Sequence, residues 1–150
     1  MPIAVAPAAE ADLDEVLPLF AAYQRFYAGA DRGDEANRAF LARFLHPSDD
    51  GLLLIARDDT GRAVGFATLY WTFSSISARE QVHLNDLFTA EEARGQGVAR
   101  ALIDACAAAA RERGCPTLTW MTATDNVTAQ RLYDRTGAER SAWYEYELAT

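Results

Sequence analysis

A chain of 150 residues is long enough for one compact domain with a real core, and none of its apolar runs reaches the roughly 20 residues that span a bilayer. Its formal net charge is −8 and all 14 basic residues are arginine. That surface repels nucleic acid and anionic lipid, favours a cationic small molecule, and leaves no lysine for a Schiff base or a G-K-[ST] phosphate loop.

Met1 to Pro7 lacks the basic-then-apolar layout of a signal peptide, so a cytoplasmic protein is expected. Cys106 and Cys115 form no C-x-x-C pair and read as unbridged thiols. His46 and His83 are the only histidines, and nothing in the sequence argues for a metal.

In chain order, Ile3 to Ala6 reads as a short strand. Asp12 to Tyr27 carries apolar residues at Leu13, Val16, Leu17, Phe20, Tyr23 and Tyr27, the spacing of one helical face. Pro18 is expected to kink or split that helix. After the loop from Gly29 to Gly33, Asp34 is placed as the cap of a second helix running to Leu45. Leu52 to Arg57 and Ala63 to Trp71 flank Asp58-Asp59-Thr60-Gly61, a hairpin signal.

Ser74 to Arg79 reads as loose, and Gln81 to Thr89 as a further strand. Val98 to Arg113 is a long Ala-rich helix ended by Gly114. Thr117 to Thr122 is a strand, Asn126 to Thr136 a helix ended by Gly137, and Ala142 to Leu148 a last strand. The order β-α-α-β-β-β-α-β-α-β implies a mixed α/β (α+β) domain covering residues 1–150, with an antiparallel meander ahead of a βαβ crossover.

The chemistry concentrates in Leu84-Asn85-Asp86-Leu87-Phe88-Thr89 and, five residues on, Arg94-Gly95-Gln96-Gly97-Val98-Ala99-Arg100. A strand runs into an arginine- and glycine-rich turn that opens the longest helix. The first N–H groups of a helix lack internal acceptors and point outward at its positive dipole end, which makes an anion site. Gly95 and Gly97 let backbone approach a phosphate, and Arg94 and Arg100 add charge beside it. A dinucleotide fingerprint would need a third glycine where Arg100 stands.

Arg94-Gly95-Gln96-Gly97-Val98-Ala99 resembles the R-x-x-G-x-[GA] motif of the GNAT superfamily of N-acetyltransferases. Leu84 to Phe88 is similar to the strand before that motif. Asn126-x-x-Ala129-x-x-Leu132-Tyr133-x-x-x-Gly137-Ala138 is similar to the family's second motif. The resemblance covers essentially the whole chain and implies a mixed, mostly antiparallel central sheet flanked by helices.

It further implies acetyl-CoA as co-substrate, no metal, and direct acetyl transfer to an amine. Leu87, Phe88, Thr89, residues 94 to 100, Asn126, Ala129 and Tyr133 are implied to touch the cofactor, with a backbone N–H near Leu87 or Phe88 serving the oxyanion. Tyr133 is implied as general acid and Asp86 is the best-placed base, with Glu145 or a water chain as alternatives; many polyamine-acetylating relatives carry glutamate where Asn85 stands.

The acceptor space is expected from the first two helices and the third strand: Tyr23, Phe26, Tyr27, Trp71 and Phe73 as aromatic walls, Asp31, Asp34 and Glu35 as acids, and Asn85 and Asp86 beside the thioester. His83 has a suitable pKa range but is read as packed or solvent-facing. The expected acceptor is a small primary amine such as a polyamine or lysine-like compound. A protein amine and a non-catalytic CoA-binding module are the alternatives. The alternating tail Trp143 to Leu148 is expected to help pair two subunits, as in similar dimers.

Overall fold

The computed structural model describes residues 2–30 and 32–150. The chain divides into two compact units, with the division after Trp120. The first unit holds β1 (Ala4–Pro7), α1 (Leu13–Phe26), α2 (Asp34–Ala42), β2 (Gly51–Arg57), β3 (Ala63–Ser74), β4 (Arg79–Thr89), α3 (Val98–Glu112) and β5 (Leu118–Thr119). Sheet order is β1-β2-β3-β4-β5, antiparallel except for the parallel β4–β5 pair. This is the mixed, mostly antiparallel architecture expected.

Strand periodicity sorts the two faces of the sheet. Leu53, Ile55, Phe66 and Phe88 face α1 and α2, where they pack with Leu13, Val16, Leu17, Phe20, Leu41 and Phe44 in one core. On the opposite face α3 comes down so closely that only glycine fits at position 65, where an added Cβ would lie 2.9 Å from Val98 Cγ1. Reciprocal amide bonds of 3.0 and 3.1 Å between Gln24 and the buried Asn37 pin α1 to α2.

Three local expectations change. Helix α1 runs unbroken through Pro18. Pro18 lies in its second turn on the solvent face, so the carbonyl of Asp14 that loses its N–H partner is open to water. The second helix is shorter than expected, and Gly33 is its N-cap while Asp34 is its first residue. Ser74 to Arg79 is a tight connection, since β3 and β4 remain paired out to Ser74 and Arg79.

The second unit contains one helix, α4 (Val127–Asp134), capped by Asn126, whose Oδ1 accepts the Ala129 N–H at 3.2 Å. None of residues 121–150 is buried. The last strand expected at Ala142 to Leu148 is not formed; residues 138–150 are neither helix nor strand. Alternation confers strand propensity, but a strand exists only when a neighbour completes its ladder. Trp143, Tyr144, Tyr146 and Leu148 are all at least 86% exposed.

Candidate active site

The site is organised by one inserted residue. Strand β4 pairs Leu84 with Leu69 but Asp86 with Thr68, so Asn85 is a bulge opposite no residue of β3. Regular alternation would send Asp86 to the same face as Val82 and Leu84, toward α3. The bulge resets the phase and sends Asp86 and Phe88 to the α1 face.

There Asp86 is 5% exposed. Its Oδ1 accepts the Tyr23 hydroxyl and, at 3.1 Å, the Asn85 amide, while Oδ2 accepts the Thr68 hydroxyl. The Asn85 amide also donates to the Tyr70 hydroxyl at 3.2 Å. The Tyr70 ring stacks on Phe44 at 5.3 Å. Burial, reinforced by the Asp86 charge, pushes the Tyr70 phenol up to about 12. Burial, followed by the hydrogen bond to Asp86, pushes Tyr23 higher still, so both remain donors.

The bulge also marks where the sheet opens. Strand β5 pairs with β4 only at Val82 and His83, so the outer edge of β4 from Leu84 onward has no β5 partner. The Ala90 N–H bonds Val64 on β3 at 2.9 Å. Period two then turns Phe88 N–H toward β3 and Leu87 N–H toward the open edge. Of the two backbone N–H groups expected for the oxyanion, that of Leu87 faces the open edge and that of Phe88 faces β3, while the Phe88 ring lies in the core. The Thr89 carbonyl faces the same open edge and receives Arg94 Nε at 3.4 Å.

At that edge α3 begins. Gly95 (φ 76°) and Gly97 (φ 84°) adopt left-handed backbone, and a Cβ at either would meet nothing within 4 Å. Gly97 is the N-cap, with no side-chain capping hydrogen bond, and the first helical bond runs from Ala101 N–H to Gly97 O at 3.0 Å. The amides of Val98 and Ala99 therefore have no acceptor inside the helix. Arg94 lies over the Phe26 ring at 5.9 Å, and Arg100 sits 3.0 Å from Asp104. Gln96 donates to the Glu92 carbonyl at 3.1 Å. An anionic diphosphate fits this mouth: amides without helical acceptors, a dipole end, two arginines and no Cβ at Gly95 or Gly97.

Some expected site residues stand elsewhere. Trp71 pairs with Val82 and so faces α3; the Arg113 guanidinium covers its ring at 4.2 Å and its Nε1 donates to Ser48 O at 3.0 Å. It does not line the space beside Asp86, because strand parity puts it on the other side. Phe73, on the same parity, is 82% exposed. Tyr27 caps α1 at the surface, 61% exposed and 5.0 Å from the Tyr23 ring. Asp31 lies outside the described residues.

Asp34 and Glu35 are exposed in the first turn of α2. In the second unit Asn126, Ala129 and Tyr133 fall along α4, and Asn126 spends its side-chain oxygen on the cap.

Sequence reasoning missed Thr68, which carries no motif and reads as one more residue of an apolar strand. His83, read from sequence as packed or solvent-facing, is half-buried. His83 shares the α1 face with its cross-strand partner Tyr70, and its Nδ1 lies 3.1 Å from Thr119 Oγ1. Burial holds its pKa below the ordinary histidine range, against an opposing pull from Asp86. Among the described residues no three His, Cys, Asp or Glu side chains converge to hold a metal, and no helix is long and apolar enough to cross a membrane.

A strand edge that opens at a bulge lies in the same sheet unit as a glycine-entered helix start with the features of an anion site. Residues 14–138 match the model of the acetyltransferase (GNAT) family, and the chain belongs to that family. It is 35% identical over 133 residues to an uncharacterized N-acetyltransferase of Bacillus subtilis, covering 89% of this chain and 87% of that one. It is 36% identical over 118 residues to a D-amino-acid N-acetyltransferase of Saccharomyces cerevisiae, covering 78% and 73%.

A crystal structure of a probable acetyltransferase, 34% identical, superposes with a TM-score of 0.82 over 100% of this chain and 98% of that one. The protein is thus an acetyl-CoA-dependent N-acetyltransferase.

Proposed function

We propose that this enzyme acetylates the primary amine of a small molecule, with the whole chain acting as one acetyltransferase domain. The observation that carries the proposal is Asp86: a buried carboxylate, held by neutral donors, on the strand whose edge opens beside the anion site. A lysine-like amine costs about 4.6 kcal/mol to deprotonate at pH 7. Asp86 takes that proton on Oδ2, and the freed nitrogen pair forms the C–N bond to the acetyl carbon.

Leu87 N–H stabilises the oxyanion that develops as this bond forms. The C–S bond breaks, and Tyr133 gives its phenolic proton to the departing sulfur. The second proton shed by nitrogen restores Tyr133, and Asp86 returns its proton to solvent. Tyr133 holds this role by its place in the second motif; Arg94, Gly95, Gly97, Val98, Ala99 and Arg100 bind the diphosphate.

Polyamines and lysine-like amines suit one anchoring carboxylate on an acidic protein, and the yeast relative's activity adds D-amino acids to the candidates. A panel of free amines assayed for CoA release, containing all three classes and alanine-terminated peptides, tests the proposal. Turnover of peptides alone overturns the small-molecule reading. Thermal stabilisation by acetyl-CoA with no thiol release from any amine would mark a binding module.

We further propose a cytoplasmic homodimer. The two thiols are buried and unbridged, as in a reducing compartment. The exposed row Trp143, Tyr144, Tyr146 and Leu148 supplies an apolar surface for a second copy. Sedimentation of wild type and a variant with Trp143, Tyr144 and Tyr146 changed to serine tests the pairing; a wild-type monomer refutes it.

A further inference from the structure

We infer that Tyr23, on α1, is a positioning residue for acetyl transfer: with Thr68 and Asn85 it clamps the Asp86 carboxylate and leaves one lone-pair site, on Oδ2, for the acceptor nitrogen. The inference rests on the reading of Asp86 as proton acceptor. A carboxylate offers about four lone-pair sites. Tyr23 and Asn85 take both on Oδ1, and Thr68 takes one of the two on Oδ2.

The three donors come from three places that only the folded chain unites: α1, β3, and the bulge of β4. Each is neutral, so the charge of the buried carboxylate is hydrogen-bonded but left uncompensated for an arriving ammonium. Ion pairing with an arginine would instead have satisfied the carboxylate before the acceptor came.

The packing around Tyr23 separates the roles of its ring and its hydroxyl. The ring sits 5.8 Å from Phe66, 6.1 Å from Phe20 and 6.3 Å from Phe88, contacts a phenylalanine would make equally well. The hydroxyl does one thing, which is donate to Asp86 across 63 residues of sequence. With the phenol held well above its ordinary range, it donates throughout the pH span in which enzymes of this kind work. Helix α1 therefore serves the chemistry by holding an acid in place. Without the Tyr23 donor the carboxyl can rotate about χ2, and part of its population presents the wrong oxygen.

A double-mutant cycle on the steady-state rate of the full-length enzyme tests this, using the amine with the highest turnover in the panel. Tyr23→Phe is expected to lower kcat about 10- to 100-fold, the range for losing a hydrogen bond to a charged group. The acetyl-CoA dissociation constant is expected to stay within about twofold, since the phosphate site is untouched. In an Asp86→Asn background the same Tyr23→Phe change is expected to cost nothing further, because the group it positions is gone.

Thr68→Val, similar in shape, is expected to repeat the pattern from the other carboxylate oxygen. Full turnover by Asp86→Asn overturns the role of Asp86. An impaired Asp86→Asn enzyme in which Tyr23→Phe costs its full factor again leaves Asp86 standing and overturns the positioning role. So does a Tyr23→Phe enzyme with unchanged kcat.

Discussion

Exchanging Gly65 for alanine probes how tightly α3, the helix proposed to carry the phosphate site, is seated. The added Cβ would lie 2.7 Å from the Phe88 carbonyl oxygen, 2.9 Å from Val98 Cγ1 and 3.3 Å from Leu102 Cδ1. The first neighbour is backbone of β4 and cannot yield without disturbing the β3–β4 ladder. The other two stand one turn apart on α3, so the strain is relieved by lifting the start of that helix off the sheet. Overpacking of this kind costs about 1–3 kcal/mol. At roughly 2–4 °C per kcal/mol for a chain of this size, the melting temperature should fall by about 2–12 °C.

Because Val98 is the first residue of α3, the same displacement moves the amides proposed to bind the diphosphate. Acetyl-CoA affinity, measured by calorimetry, should fall with stability. Gly97→Ala is the control. Its Cβ meets no neighbour, so its cost is the left-handed strain at φ 84°, about 1–2 kcal/mol, with a methyl group standing at the cofactor mouth. It should lose less stability per factor of affinity than Gly65→Ala. A Gly65→Ala protein with wild-type melting and wild-type affinity would refute this account of how α3 is seated.

Three other perturbations have defined outcomes. Tyr133→Phe should lower kcat by about 10²–10⁴ with acetyl-CoA binding retained, and full turnover across pH would remove the general-acid assignment. His83 has its proton affinity lowered by burial, so the unfolded chain binds more protons and stability should decline as pH falls below the ordinary histidine value of 6.5. Melting curves from pH 8 to pH 5 should show that decline in wild type and a shallower one in His83→Gln. Asn126→Ala deletes the cap of α4 and should cost that helix about 1 kcal/mol. Hydrogen exchange should quicken at residues 127–134 while the global melt hardly moves, because the segment has no buried residue.

The chain by itself determined whatever depends on neighbours a few residues apart. The helices announced themselves through 3.6-residue periodicity, the hairpin through Asp58 to Gly61, and the proposed anion site through two glycines at the entry of an Ala-rich helix. The order of elements up to α4 followed, because each local signal agrees with the one beside it. The break expected at Pro18 did not follow, because its solvent-facing position lets α1 run through it.

Tertiary structure alone decided which side of the sheet each strand residue serves. Strand parity has period two, and one bulged residue inverts it for everything beyond. Asn85 is that residue, visible only in the β3–β4 register, and it turns Asp86 toward Tyr23 and Thr68. The same parity carries Trp71 away to α3 and under Arg113. The tail from Trp143 to Leu148 teaches the complementary lesson. Its pattern is that of a strand, yet backbone hydrogen bonds across a sheet need a second chain segment, and a pattern within one segment cannot supply it.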